Sequence, residues 1–255
     1  MKRVMLIVAY EGTAYHGWQV QPNGVTIESV LNQALSELLD EDIAVIGASR
    51  TDSGVHSLGN AAVFDTETRM PAEKISYALN QRLPEDIVVQ DSFEVPPDFH
   101  PRRCASRKTY EYRILNRRFP LPTVRRDTYF FYRPLDVEKM QEAAAYLEGI
   151  HNFKSFCSIH AQAEDTVREI YSCQVIKQED IVTIRIIGAG FLYNMVRIIA
   201  GTLIQVGIGE RRPEELPNIL SSCDRASAGP TAPAHGLTMM GIAFEHDMKR
   251  SEEGN

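Results

Sequence analysis

Ile43-Ala44-Val45-Ile46 leads into Gly47-Ala48-Ser49-Arg50-Thr51-Asp52-Ser53-Gly54-Val55-His56-Ser57-Leu58-Gly59-Asn60, and Ala61-Ala62-Val63-Phe64 follows. Two short apolar runs flanking a polar segment read as two strands joined by a turn. Glycine at 47, 54 and 59 lets the backbone take a positive φ or lets another group approach closely. Ser and Thr around Asp52 favour turns, where their hydroxyls bond to nearby backbone. A carboxylate displayed on such a turn at a strand end is placed as a reactive group would be. Taken alone, the stretch reads first as an ordinary turn with an Arg50/Asp52 surface pair, because such pairs are common and weak, and the rest of the chain must overturn that reading.

Upstream, Arg3 to Tyr10 is rich in β-branched residues and reads as a buried strand; its apolar run is too short for a signal segment and lacks a cleavage site. A loop with the chain's one tryptophan, Trp18, follows. Thr26 then caps a helix whose Ile27, Val30, Leu31, Ala34, Leu35 and Leu38 share one face. Downstream of the central turn, Pro71 and Ala72 open a helix running to about Arg82, and Ile87–Val95 is a strand. The order β-α-β-β-α-β is a split βαβ layout with helices on one face of the sheet.

The second half repeats this loosely. Lys108–Leu115 and Thr128–Tyr132 read as strands, and Asp136 caps a helix with Val137, Met140, Ala144 and Leu147 on one side. Glu169–Lys177 and Ile181–Ile187 form a hairpin. Leu192–Val206 and Pro213–Ser222 are helices, and Leu237–Phe244 is a closing strand. The fold class is therefore α/β in the α+β sense. Two similar split-βαβ, ferredoxin- or RRM-like halves carry mainly antiparallel sheets and join around a central active-site cleft. The Pro-rich, basic stretch 96–103 places the junction, giving an N-terminal domain 1–103 with the candidate catalytic Asp52, a C-terminal domain 104–246 and a frayed tail 247–255.

With 255 residues, 44% hydrophobic and 24% charged, the composition is that of a soluble globular protein. A net charge of -7 argues against a protein that binds nucleic acid over its whole surface. The distribution says more than the sum: from Arg102 to Arg126 nine Arg and Lys residues accumulate against the acid Glu111 in the core of the tract, enough to hold a polyanion on one face. Cys104, Cys157, Cys173 and Cys223 lie far apart with no metal-ligand spacing, so reduced thiols in the cytoplasm are expected, with neither disulfides nor structural zinc. No run approaches membrane-spanning length.

Two further motifs carry chemistry. Lys108, Tyr110 and Tyr112 alternate onto one strand face, either as a basic-aromatic surface for RNA or as half-buried core. Gly188-Ala189-Gly190-Phe191 opens a helix without the Lys-Ser/Thr of a phosphate loop, which counts against nucleotide binding. Arg197 stands out in that apolar helix, and a buried arginine demands an anionic partner. His56 and His151 read as hydrogen-bonded turn residues rather than metal ligands.

Taken in order, these stretches resemble the TruA family of tRNA pseudouridine synthases. The matching pieces are Tyr10-Glu11-Gly12-Thr13-Ala14-Tyr15-His16-Gly17-Trp18-Gln19-Val20-Gln21-Pro22, Arg50-Thr51-Asp52-Ser53-Gly54-Val55-His56, Phe99-His100-Pro101-Arg102 with Lys108 to Tyr112, Leu135-Asp136 through Gly149 to Phe156, Phe191 to Arg197, and Ala232 to Leu237. The resemblance implies that Asp52 is the catalytic aspartate, with Arg50 beside it and Arg197 pairing with it. It further implies that Tyr110 stacks on the target base and that Leu237 is an active-site apolar position; Lys108 and Arg102 are expected to bind substrate. It also implies a homodimer isomerising uridine in the anticodon stem-loop, at tRNA positions 38, 39 and 40, without cofactor or metal. Ser49, Ser57 and Asn152 stand where glycine, alanine and aspartate are usual, and none removes a chemical group. Two other readings are a tRNA-binding protein whose value lies in holding or refolding RNA, and a nucleotide-metabolising enzyme. A pure binder needs no partnered carboxylate, and the missing phosphate loop disfavours the enzyme of nucleotides.

Overall fold

The computed structural model describes residues 1–159 and 164–244. The expected tail 247–255 lies outside them. The chain divides into two compact units: residues 1–106 together with those from Met239 onward, and Arg107–Thr238.

In the first unit the elements run β1 (Lys2–Tyr10), α1 (Ile27–Leu39), β2 (Ile46–Gly47), β3 (His56–Thr66), α2 (Ala72–Leu79) and β4 (Ile87–Val95). β1 lies between β4 and β3, antiparallel to both, and β2 pairs antiparallel with β3. This is the split βαβ arrangement. Thr26 caps α1 with its hydroxyl on the Ser29 amide at 3.2 Å, and the Ser29 hydroxyl accepts from the Thr26 amide at 3.1 Å. Leu31 and Leu35 of α1 and Ile75 and Leu79 of α2 pack on Val4, Leu6, Val8, Ala62 and Phe64, closing one face of the sheet.

The opposite face is not bare. Met5, Ala61 and Val63 pack with Phe99, Cys104 and Phe244, and the rings of Phe99 and Phe244 meet edge to face at 5.2 Å. Phe244 belongs to the closing strand β10 (Leu237–Phe244), which lies along β3. From Met239 onward that strand therefore packs in the first unit, whereas chain order had placed it in the second. Arg3 ties the junction segment down: it donates to both Asp65 oxygens at 2.8 and 2.7 Å and to the Phe99 carbonyl at 2.7 Å. The bonds from Arg3 hold the Asp65 carboxyl below its usual range.

One strand is much shorter than the sequence suggested. Of Ile43–Ile46, Ile46 pairs on β3, together with Gly47. Ile43 and Val45 are buried against the helical side, but their amides bond side chains of α1, Ile43 to the Ser36 hydroxyl at 3.0 Å and Val45 to the Asn32 side-chain oxygen at 2.8 Å. Side-chain acceptors replace the ladder, so burial persists without a strand.

In the second unit β5 (Ser106–Asn116), β9 (Ile181–Gly188), β8 (Val167–Gln178) and β7 (Gly149–Asn152) pair successively antiparallel, while β6 (Tyr129–Phe131) runs parallel to β5. α3 (Val137–Ala145), capped by Asp136 on the Lys139 amide, packs against β8 and against α4 (Met195–Gly207). α5 (Leu216–Ser222) completes the unit. Both units are mixed α+β with mainly antiparallel strands. Among the described residues no helix is long and apolar enough to cross a membrane.

Candidate active site

Asp52 sits, half-buried, on the loop between β2 and β3, and the loop is braced from below by the segment that follows β1. The Val55 amide donates to the Asp52 carbonyl at 3.1 Å and closes the turn, with Gly54 at φ +78° where a side chain would be strained. The Thr51 carbonyl accepts from the Trp18 amide at 3.1 Å, and the Thr51 hydroxyl meets that of Tyr10 at 2.8 Å. The Tyr15 carbonyl accepts both the Ser53 hydroxyl at 3.1 Å and the Gly54 amide at 3.3 Å. Gly47 leaves room for the Trp18 ring: a Cβ there would stand 2.3 Å from its Nε1. Gly59 needs neither freedom; it lies inside β3. Every residue flanking Asp52 is thus tied to a second stretch of chain, and a turn so held presents its carboxylate in one place.

Two supports were not visible in the sequence. The Tyr15 hydroxyl donates to Asp86 Oδ1 at 2.6 Å, and the Glu11 amide bonds the Asp86 carbonyl at 2.9 Å. Burial first, and then that bond, push the Tyr15 phenol upward. His56, expected in the turn, is instead the first residue of β3; its Nδ1 accepts the Gly12 amide at 3.0 Å. The signal lay in Tyr10-Glu11-Gly12 and Tyr15, residues that carry the family resemblance but whose spacing announces no mechanical role.

Of the other candidates in this unit, Arg50 is exposed, and Arg102 donates through Nε to the Gly47 carbonyl at 2.7 Å. Partial burial and then the positive charge of Arg50 lower the Arg102 guanidinium, with Glu28 opposing. The unit therefore brings two cations and one carboxylate to the same loop.

The second unit assembles the remaining candidates along β5 and α4. Tyr110 is buried, its ring edge to face with Phe191 at 5.1 Å and 78°. Tyr112 is fully buried and donates its hydroxyl to the Pro233 carbonyl at 2.9 Å, so of the paired tyrosines this one is core. Lys108 is half-buried at the start of the strand, and Leu237 is buried where β10 begins. Arg197 is half-buried rather than sealed in. Its Nε donates to the Ala232 carbonyl at 2.8 Å, its Nη1 to Asn194 Oδ1 at 2.7 Å, and the Ala232 amide returns a bond to the Arg197 carbonyl at 3.1 Å. Segment 229–236 thus lies along α4 and reaches Tyr112.

That close approach depends on Gly201. A Cβ there would stand 1.9 Å from the Pro230 carbonyl oxygen. In an isolated helix Gly→Ala stabilises by about 1 kcal/mol. Here Gly201→Ala is expected to destabilise, by about 2 kcal/mol, because backbone must move. Thermal unfolding checks the sign, and a raised melting temperature would show that the segment is not pinned there.

The basic tract is less exposed as charge than its sequence suggests. Arg113 pairs with Asp127, and Arg117 with Asp180 at 3.2 Å. Arg118 stands over the exposed ring of Phe119 at 5.0 Å instead, and Arg125 bonds its own loop through the Pro122 carbonyl. Among the described residues no three His, Cys, Asp or Glu side chains gather as a metal ion would need.

The family model described as tRNA pseudouridine synthase matches residues 6–102 and 143–245. A protein named tRNA pseudouridine synthase A from Thermoanaerobacter sp. (strain X514) is 48% identical over 244 residues, 96% of this chain and 100% of that one. Proteins of the same name from Ruminiclostridium cellulolyticum and Brevibacillus brevis are 46% and 47% identical, again over 96% of this chain and all of theirs.

Proposed function

The chain belongs to the tRNA pseudouridine synthase family, an isomerase family, and we propose that it converts uridine to pseudouridine in the tRNA anticodon stem-loop, at positions 38, 39 and 40, with Asp52 as its catalytic carboxylate. The observation that carries this reading is the bracing of the Asp52 turn by Tyr10, Tyr15 and Trp18, in a chain whose relatives bear that name along their full length.

The reaction breaks the C1′–N1 glycosidic bond, turns the uracil and joins C5 to C1′; N1 gains a hydrogen and C5 loses one. Asp52, ionised, either attacks C1′ or removes the C2′ proton, and both routes need a carboxylate held still beside the ribose. Arg50 stands two residues before it in the chain, and Arg197 serves as its counter-ion. The Tyr110 ring, steadied by Phe191, holds the detached base in place, and Leu237 lines the same site. An aromatic platform offsets part of the cost of unstacking the target nucleotide. The working protein is a cytoplasmic homodimer.

Arg118 and Arg125, with Lys108 and Arg102, contact phosphate. Replacing Arg118 and Arg125 by Ala is expected to weaken tRNA binding and make its salt dependence shallower, by about one to two units of log–log slope. Arg117→Ala, already paired with Asp180, should change the slope little. An unchanged slope in the double variant would place the phosphate contacts elsewhere.

Site choice is tested by mapping pseudouridine, nucleotide by nucleotide, in total tRNA from cells with and without the protein. Loss confined to positions 38, 39 and 40 is expected. An unchanged map would favour the reading of a protein that only holds RNA, and loss outside the anticodon arm would overturn the assigned site.

A further inference from the structure

We infer that Asn194 is a positioning residue for Arg197: it holds the guanidinium by one N–H in the orientation that the reaction uses. The inference rests on the proposed role of Arg197. Asn194 is the residue before α4, at φ 62° and ψ 6°, one of four described non-glycine residues with a positive φ. Left-handed backbone is costly for any residue with a Cβ, although Asn tolerates it better than most. Asparagine before a helix ordinarily sits in the extended region and gives its side-chain oxygen to an amide of the first turn. Asn194 does neither. Its side chain makes no capping bond, and its Oδ1 accepts from Arg197 Nη1 at 2.7 Å instead.

The left-handed backbone and the forgone cap both cost stability, and strain of this kind persists where the surrounding structure over-determines it. What it secures is the direction of one side chain. With Nε fixed on the Ala232 carbonyl and Nη1 on Asn194, two edges of a rigid planar fork are set, and with them the remaining one. An uncharged acceptor has a further advantage here, because it orients the cation without neutralising it and leaves its attraction for a carboxylate intact.

A merely structural Asn194, present because a tight turn needs a left-handed residue, makes a different forecast. Glycine meets that need better than asparagine and lacks only the oxygen. Asn194→Gly is therefore expected to fold without a lowered melting temperature, to bind tRNA with little change in KM, and to lose about ten-fold or more in single-turnover rate. The decisive step is a double-mutant cycle with Arg197→Lys, whose ammonium cannot use the two-point hold. If Asn194 works through the guanidinium, Asn194→Gly should cost less than about two-fold in the Arg197→Lys background. An Asn194→Gly enzyme as fast as wild type, or equally impaired in both backgrounds, overturns the inference while leaving the role of Arg197 standing. A rate loss that merely follows a fallen melting temperature overturns it too. An Arg197→Lys enzyme with wild-type rates removes the proposed role of Arg197, and the inference falls with it.

Discussion

Asp52→Asn is expected to abolish pseudouridine formation, by a factor of about 10⁴ or more, while tRNA affinity stays within a few-fold. The amide is nearly the same size as the carboxylate but is neither a nucleophile nor a base at neutral pH. Little else should change. The bonds that build the turn run from the Val55 amide to the Asp52 carbonyl, and through Thr51, Ser53 and Gly54 to Tyr10, Trp18 and Tyr15. None of these uses the Asp52 carboxylate, so the turn itself should keep its shape in the variant. Turnover within ten-fold of wild type in the Asn variant would show that the reacting carboxylate is another.

Arg197→Met is expected to have the second largest effect, and its signature is in pH. A nearby cation favours the ionised form of a carboxyl, so removing it raises the carboxyl pKa. The active, ionised fraction of Asp52 then survives only at higher pH, and the acidic limb of the rate profile moves up. At neutral pH the rate should fall strongly, and Arg197→Lys should restore it in part, since an ammonium keeps the charge but loses the fork. Helix periodicity alone would have methionine pack as well as its apolar neighbours and even stabilise. The structure argues otherwise, because Asn194 Oδ1 and the Ala232 carbonyl would both lose their donor, at about 1–3 kcal/mol for each group left unpaired. Single-turnover rates from acid to neutral pH decide the matter. Normal turnover with an unshifted acidic limb in the Met variant would separate Arg197 from Asp52.

The parts of the fold legible in the sequence are those set by local periodicity. Thr26 and the one-sided apolar face of α1, the β-branched run of β1, and the run Ile87–Val95 each declare their element from local sequence alone. What escaped depends on residues distant in the chain. Ile43 and Val45 look like a strand, yet Ser36 and Asn32 claim their amides first. Phe244 looks like the end of the second half, yet Phe99 and Met5 bury it in the first. Arg113 and Arg117 look like free charge because Asp127 and Asp180 stand 14 and 63 positions away in the chain. The candidate site divides in the same way. Asp52 could be singled out from the glycine, serine and threonine around it, since turn chemistry is local. The hold of Tyr15 on the turn, the latch of Tyr15 to Asp86 and the diversion of the Asn194 oxygen from cap to clamp are matters of geometry. No spacing rule expresses them.

The most direct measurement uses the purified protein and an unmodified tRNA transcript carrying tritium at C5 of uracil. Joining C5 to C1′ expels that hydrogen to water. Tritium should therefore appear in solvent up to the number of target uridines per transcript, with no free uracil and with the chain of the RNA intact. No release under conditions where the transcript binds, or release of uracil in place of tritium, would contradict the isomerase that the family and the Asp52 turn together imply.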